Sequence, residues 1–238
     1  MKTQDISYHV DDKTFTGYLA FDPARSGTRP GILVCHQGNG LTDHAKERAR
    51  MLAERGYVAF ALDMYGEVAT SQAQAMGWLA ALMQNPAEMR KRASAGLDQL
   101  KAQPNVDRRR LAAIGYCFGG AVVLEMARSV PEIACVVAFH PGFTTLPEKD
   151  DRKVHAKVMA CTGVQDPLIP SEARQRFIDL MVAAGADWQL IVYGNAGHSF
   201  TDRTVGSLGI KGFDYHEMTD KRSWSAMRNL FDETLGTV

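Results

Sequence analysis

The chain has no surplus of charge, no long apolar run and no cysteine framework. Lys and Arg together number 27 and so do Asp and Glu, so the formal charge is zero. Nucleic acid or an anionic membrane surface as main partner would call for a basic excess, and neither is expected. No apolar stretch approaches the roughly 20 residues of a membrane span, and the start, Met1-Lys2-Thr3-Gln4-Asp5, leads into no apolar signal core. The four cysteines (35, 117, 135 and 161) lie in or at the end of apolar runs, and no pair has C-x-x-C spacing. Histidines at H-x-x-x-H spacing are also missing, so no metal is expected. There is no repeat, no low-complexity tract and no linker. These absences predict a soluble, reduced, cytoplasmic protein whose residues 1–238 form one domain.

What is present reads as alternating strand and helix. Residues 6–10 and 14–21 suit two antiparallel strands around Asp11-Asp12-Lys13, with Phe15, Leu19 and Phe21 on one face. After the loop from Pro23 to Pro30 the apolar runs become continuous, at 31–35, 57–62, 111–114, 133–139, 158–161 and 190–193. Strands without alternation are buried on both faces, as in a parallel sheet covered by helices. Helical spacing fills the gaps. Thr42 or Asp43 can cap a helix carrying Ala45, Ala49 and Leu52. Pro86 opens one with Met89, Ala93, Leu97 and Leu100. Ala173, Phe177, Leu180 and Ala184 form another that Gly185 stops, and Trp224, Met227 and Phe231 mark the last. The fold class is therefore α/β, a doubly wound, mostly parallel sheet with an antiparallel N-terminal edge. The stretch 67–85 has two readings: a surface helix packing an ordinary stripe, or a pocket wall built by Trp78 and its neighbours.

The chemistry gathers at the strand ends, where doubly wound sheets place their sites. Gly115-Tyr116-Cys117-Phe118-Gly119-Gly120 is a cysteine version of the G-x-S-x-G nucleophile elbow, a strained turn between strand and helix. The glycines two positions either side spare the turn a Cβ collision. The helix beginning at Phe118 turns its free N–H groups toward the sulfur, which favours thiolate. Asp166 follows the run 158–161, and His198 follows 190–193. Cys117, Asp166 and His198 thus stand in the chain order of an α/β-hydrolase triad. A thiolate attacks a carbonyl carbon, the imidazole pairs with it and later protonates the leaving group, and the carboxylate fixes the imidazole. The N–H groups of Gly38 and Phe118 are the expected oxyanion donors.

Those segments, with Gly163-Val164-Gln165-Asp166-Pro167, Ala196-Gly197-His198-Ser199-Phe200 and Gly56-Tyr57-Val58-Ala59 through Asp63-Met64-Tyr65-Gly66, resemble the dienelactone hydrolase (carboxymethylenebutenolidase) family over nearly the whole chain. The resemblance implies an α/β-hydrolase fold, a Cys117-Asp166-His198 triad and cofactor-free hydrolysis of lactones or activated esters. Two positions depart from the family pattern. Gln37 stands where the family usually carries a Glu that helps to generate the thiolate. Asp202 stands four residues after His198, where an Arg assists substrate-carboxylate binding, and Arg203 lies one further on. An amide at 37 cannot take a proton, so it is assigned to substrate contact and not to base chemistry, with Tyr65, Trp78 and Arg203 as the other substrate-binding candidates. The departures point away from dienelactone itself and leave ester or lactone hydrolysis in place.

Three further features have simpler readings. His36 suits a structural hydrogen bond, His44 lies in a first helical turn, and Arg108-Arg109-Arg110 suits a solvated sheet edge. The rival from another class is a thiol-based redox sensor or binding protein on a hydrolase scaffold, which alkylates readily and turns over no ester. The partner expected is a small ester or lactone; monomer and homodimer are equally compatible with the sequence.

Overall fold

A computed structural model describes residues 1–143 and 152–238. Eight strands form one sheet: β1 (Lys2–Val10), β2 (Lys13–Phe21), β3 (Arg29–Cys35), β4 (Val58–Leu62), β5 (Val106–Tyr116), β6 (Ile133–Phe139), β7 (Lys157–Gly163) and β8 (Trp188–Tyr193). Their spatial order is β1-β2-β4-β3-β5-β6-β7-β8. The β1–β2 and β2–β4 pairings are antiparallel, and every other pairing is parallel. The antiparallel edge and parallel remainder are as the apolar pattern predicts.

The helices are α1 (Asp43–Glu54), α2 (Gln72–Met83), α3 (Pro86–Lys101), α4 (Phe118–Ser129), α5 (Ser171–Ala183) and α6 (Glu217–Leu235). Alternation along each central strand feeds two cores. Leu33, Phe60, Leu62 and Ala113 face one side, where Leu97 of α3, Val122 of α4 and Phe177 of α5 cover them. Ile32, Val34, Ala61 and Ile114 face the other, covered by Ala49 and Leu52 of α1 and by Met227 and Phe231 of α6. Burial on both sides explains why these strands read as unbroken apolar runs.

Three local expectations change. Thr42 occupies the N-cap of α1, but its side chain makes no capping bond. Strand β8 is not enclosed on both faces: it is the sheet edge, and Val192 is 42% exposed. An apolar run of that length cannot by itself distinguish a central from an edge strand. The stretch 67–85 holds a helix of unusual character. Ser71 caps it by accepting from the Gln74 N–H, and only Leu82 is buried.

Candidate active site

The elbow is set by steric demand. Cys117 has φ 53°, in the left-handed region, and its N–H donates to the Phe139 carbonyl at 3.0 Å. A non-glycine residue held there costs about 1–3 kcal/mol, which the surrounding packing must offset. A Cβ on Gly115 would lie 1.9 Å from the Gly119 carbonyl oxygen, and one on Gly119 would lie 2.2 Å from that of Cys35. The two glycines are what allow α4 to leave β5 at this angle, close against the end of β3.

Asp166 and His198 are buried and joined, with His198 Nδ1 2.7 Å from Asp166 Oδ2. The other carboxylate oxygen accepts from the Leu168 N–H at 2.8 Å. The His198 N–H donates to the Gly212 carbonyl at 2.7 Å, and the ring packs on Phe213 and on His140, with centroids 4.7 and 5.3 Å away. Its Nε2 is buried and has no well-aligned protein partner. Burial disfavours the imidazolium, but the nearby Cys117 sulfur, with help from the Asp166 carboxylate, pushes the ring up to about 10. Burial likewise pushes the Cys117 thiol up, yet His198 and the Phe118 N–H together hold it below the ordinary thiol range. The two shifts run in the directions that favour a thiolate beside an imidazolium. Cys117 is partly exposed, whereas Cys35, Cys135 and Cys161 are buried, with thiols raised by burial.

The end of β3 carries the second expected oxyanion donor. His36 is fixed by structural bonds, as its sequence setting suggests: its Nε2 accepts from the Met64 N–H at 3.1 Å. Its Nδ1 therefore carries the proton and donates to the Gln37 carbonyl at 2.5 Å. Gly38 follows, partly exposed, and a Cβ there would meet Leu79 Cδ1 of α2 at 3.1 Å. Tyr65 is presented by a turn that the Asp63 carboxylate organises, accepting from the N–H groups of Tyr65 and Gly66, both at 2.9 Å. The Tyr65 ring stacks on Phe118 at 5.6 Å and meets Trp78 at 5.3 Å. Its hydroxyl is buried without a partner, and burial and the Cys117 charge both raise it. Tyr65 and Trp78 also line a cleft of about 300 Å³ with Lys13, Leu82, Asn85 and Glu88. That cleft includes none of Cys117, Asp166 or His198, and Trp78 and Leu79 pack against the core as well as standing beside Tyr65 and Gly38, so the ordinary-stripe and pocket-wall readings of 67–85 both stand.

Two of the substrate-contact candidates are engaged by neighbouring side chains. The Gln37 amide is occupied at both ends: Nε2 donates to Asp202 Oδ2 at 2.7 Å, and Oε1 accepts from Ser199 Oγ at 3.2 Å. Arg203 is exposed with its guanidinium over the Tyr215 ring at 5.6 Å. It lines a separate cleft with Asn39, His44, Arg48 and Asp220 that includes none of Cys117, Asp166 or His198. Sequence reasoning missed the network behind His198. There Thr201 Oγ1 lies 2.9 Å from His140 Nε2 and 3.2 Å from His44 Nε2, and Arg48 donates to the Thr201 carbonyl at 2.5 Å. No sequence signal links those residues, because α1 and two loops bring them together only in the fold. The Arg108-Arg109-Arg110 run lies not at a sheet edge but in a bulge near the start of the central strand β5, where Arg109 and Arg110 pair with Asp107.

Comparison with known proteins follows the same lines. The dienelactone hydrolase family model matches residues 15–235. A Salmonella typhimurium protein named "Putative carboxymethylenebutenolidase" is 28% identical over 232 residues, covering 90% of this chain and 81% of that one. Among solved structures, a protein named m3DLH is 42% identical with a TM-score of 0.94, covering 98% of both chains. A dienelactone hydrolase-like promiscuous phosphotriesterase from metagenomic libraries is 40% identical with a TM-score of 0.93, covering 99% of both. The sheet and its helices are the α/β-hydrolase fold of these neighbours.

Proposed function

The chain belongs to the dienelactone hydrolase family of ester and lactone hydrolases, and we propose that it cleaves small carboxylic esters or lactones through Cys117, His198 and Asp166. The observation that carries this reading is the buried His198–Asp166 contact at 2.7 Å with a partly exposed, strained Cys117 whose thiol is held low by the same histidine. The Cys117 thiolate adds to the carbonyl carbon, forming the C–S bond and moving the carbonyl π electrons onto oxygen. The N–H groups of Gly38 and Phe118 stabilise that oxyanion. Collapse breaks the C–O bond, and the His198 Nε2–H gives its proton to the departing alkoxide, leaving a thioester. His198, now neutral, takes a proton from water as water attacks the thioester, and the thiolate leaves. Asp166 keeps Nδ1 protonated throughout, so that Nε2 is the nitrogen that exchanges protons.

Turnover of 4-nitrophenyl acetate and of a dienelactone by the wild type and by Cys117→Ala tests the reading. Loss of the thiol is expected to lower kcat by about 10⁴-fold or more, and mass spectrometry of a rapidly quenched wild-type reaction should show Cys117 carrying the acyl group. Wild-type turnover that survives in Cys117→Ala would overturn the assignment. A Cys117 that alkylates fast at neutral pH while no ester turns over would favour the thiol-sensor reading. A second substrate class comes from the phosphotriesterase to which the chain is 40% identical. A neutral aryl phosphotriester belongs in the same assay, with the thiolate attacking phosphorus in place of carbon.

A further inference from the structure

The segment after His198 is a tight, strained turn. Ser199 has φ 57°, in the left-handed region, and the Asp202 N–H closes back onto the Ser199 carbonyl at 2.9 Å. Asp202 is 8% exposed, and its Oδ1 accepts from the Thr204 N–H at 2.8 Å and from Thr204 Oγ1 at 2.7 Å. Burial works against its charge, but those donors and the Gln37 amide hold the carboxyl below the usual carboxylate range. Oδ2 is left facing the Gln37 Nε2, and the Gln37 Oε1 faces Ser199. Position 37 must therefore offer a donor to one neighbour and an acceptor to the other, which among ordinary side chains of this length only an amide does at neutral pH.

We propose that Gln37 is a positioning residue, its amide fastening the turn that follows His198 to the turn that carries Gly38, and that Asp202 is what requires an amide there. This rests on reading Cys117, His198 and Asp166 as the reacting set. One fastening then sets the distance between the proton-carrying histidine and an oxyanion donor. The site is thus matched internally: Gln37 and Asp202 work as a pair, and a carboxylate at 37 is incompatible with the carboxylate at 202. In Gln37→Glu two carboxylate oxygens would meet at about the present separation, and such a pair keeps one shared proton until the pH rises well above the ordinary carboxylate range. Below that point the shared proton restores a donor between the two residues. Above it the like charges separate and the fastening opens, so damage grows as pH rises.

The other charged groups near Asp202 do not imitate this signature. His44 of α1 is held neutral, lowered to about 4 chiefly by burial and then by Arg48. Arg48 of α1 is paired with Asp220 of α6 at 3.0 Å, and Asp43 and Glu47 of α1 and Arg203 complete the cleft. None of these groups changes between wild type and variant. His198 and Cys117 titrate in both, so the difference between two pH profiles isolates the new pair.

The test uses Gln37→Glu, Asp202→Asn and the double variant, reading kcat/KM on 4-nitrophenyl acetate, the iodoacetamide alkylation rate of Cys117 and the thermal midpoint, all against pH. Gln37→Glu should fall about tenfold or more below wild type in alkylation and turnover near pH 8 and recover toward pH 5. The double variant reverses donor and acceptor: the amide introduced at 202 donates to the carboxylate introduced at 37, while its carbonyl still accepts from Thr204. It should return to within about threefold of wild type with no new limb. Asp202→Asn alone should be mild, since the Gln37 amide can rotate to accept from the new amide at 202 and donate to Ser199. A Gln37→Glu variant that matches or exceeds wild type across the range overturns the proposal, and so does a double variant no better than Gln37→Glu or unable to fold. Should the wild type turn over no ester, the functional reading fails by itself, while alkylation and midpoint profiles still decide whether positions 37 and 202 are paired.

Discussion

The elbow and helix α2 are linked through Tyr65, which packs on both Phe118 and Trp78, and they are built on opposite plans. From Leu111 to Gly120 every residue but Cys117 is buried, and all three glycines, at 115, 119 and 120, have no room for a methyl group. Across the cleft α2 carries no charged residue, yet it buries only Leu82 and leaves Met76 56% exposed. Trp78, Leu79 and Met83 pack against the core only in part, and Trp78 and Leu79 also turn toward Tyr65 and Gly38. Stability is not spread evenly over a fold, and ligand-contacting segments are drawn from its weaker end. The contrast suggests a division of labour. Bond-making requires fixed distances, so it sits where packing over-determines the backbone. Substrate shape varies, so it meets a wall with freedom to adjust.

The sharpest way to break that contrast is Gly119→Ala. The added methyl would overlap the Cys35 and His36 carbonyl oxygens, 2.2 and 2.6 Å from its position, and both belong to backbone that cannot rotate aside. Either α4 or the end of β3 must shift, and the second carries Gly38 away from the sulfur. A loss of about 3 kcal/mol in urea unfolding is expected, with turnover down at least about 100-fold. A variant within experimental error of wild type in both would mean that the elbow is as forgiving as α2.

Asp166→Asn comes next and leaves packing almost unchanged. Without the carboxylate charge His198 loses part of what raises it, so the ring releases its proton at a lower pH than the present value of about 10. The sign follows from the roles. The thiolate form needs pH above the lowered Cys117 value, and the imidazolium needs pH below the His198 value, so the plateau of the paired state narrows from its alkaline side. Turnover should fall about 10³- to 10⁴-fold, and the alkaline limb of Cys117 acylation should move to lower pH. An unmoved limb would show that Asp166 does no more than fill space.

Much of this was legible in the chain because the strongest signals are local. The strain at Cys117 demands glycines at 115 and 119, and continuous apolar strands announce a sheet covered on both faces. The strand ends also brought Asp166 and His198 together, since a parallel sheet puts its loops on one rim. What the sequence concealed depends on pairs far apart along it. Gln37 read as a substrate contact because its partners Ser199 and Asp202 lie more than 160 positions away. Arg203 read as a substrate cation because loop residues one position apart can point to different clefts. Strand β8 read as central because an edge strand with a covered face carries the same apolar letters.

Trp78→Ala tests the wall directly. The ring is half-buried against Tyr65, and its removal opens the cleft of about 300 Å³ without touching the elbow. Uniform binding lost from substrate and transition state alike raises KM and spares kcat. KM for an aryl ester should rise about three- to tenfold, a loss of roughly 1 kcal/mol in binding, while Cys117 alkylation stays at the wild-type rate. A fall in alkylation would place Trp78 in the support of the elbow and erase the distinction between the two regions.

The smallest effect is expected at Gly77, in the middle of α2. A methyl there meets nothing within 4 Å, and the backbone is not in the left-handed region, so no steric cost opposes the substitution. Alanine is preferred over glycine inside a helix by about 1 kcal/mol, yet the gain reaches the global unfolding energy only as far as α2 is formed cooperatively with the core. If the wall is the weakly held element that its burial pattern describes, Gly77→Ala should slow amide exchange within α2 several-fold while moving the thermal midpoint by no more than about 2 °C. A stiffer wall should also favour the substrate it already fits and penalise bulkier ones, changing the ratio of kcat/KM values across an acyl-chain series. An identical ratio, with exchange in α2 already as slow as in α4, would show that the helix is held as firmly as the elbow.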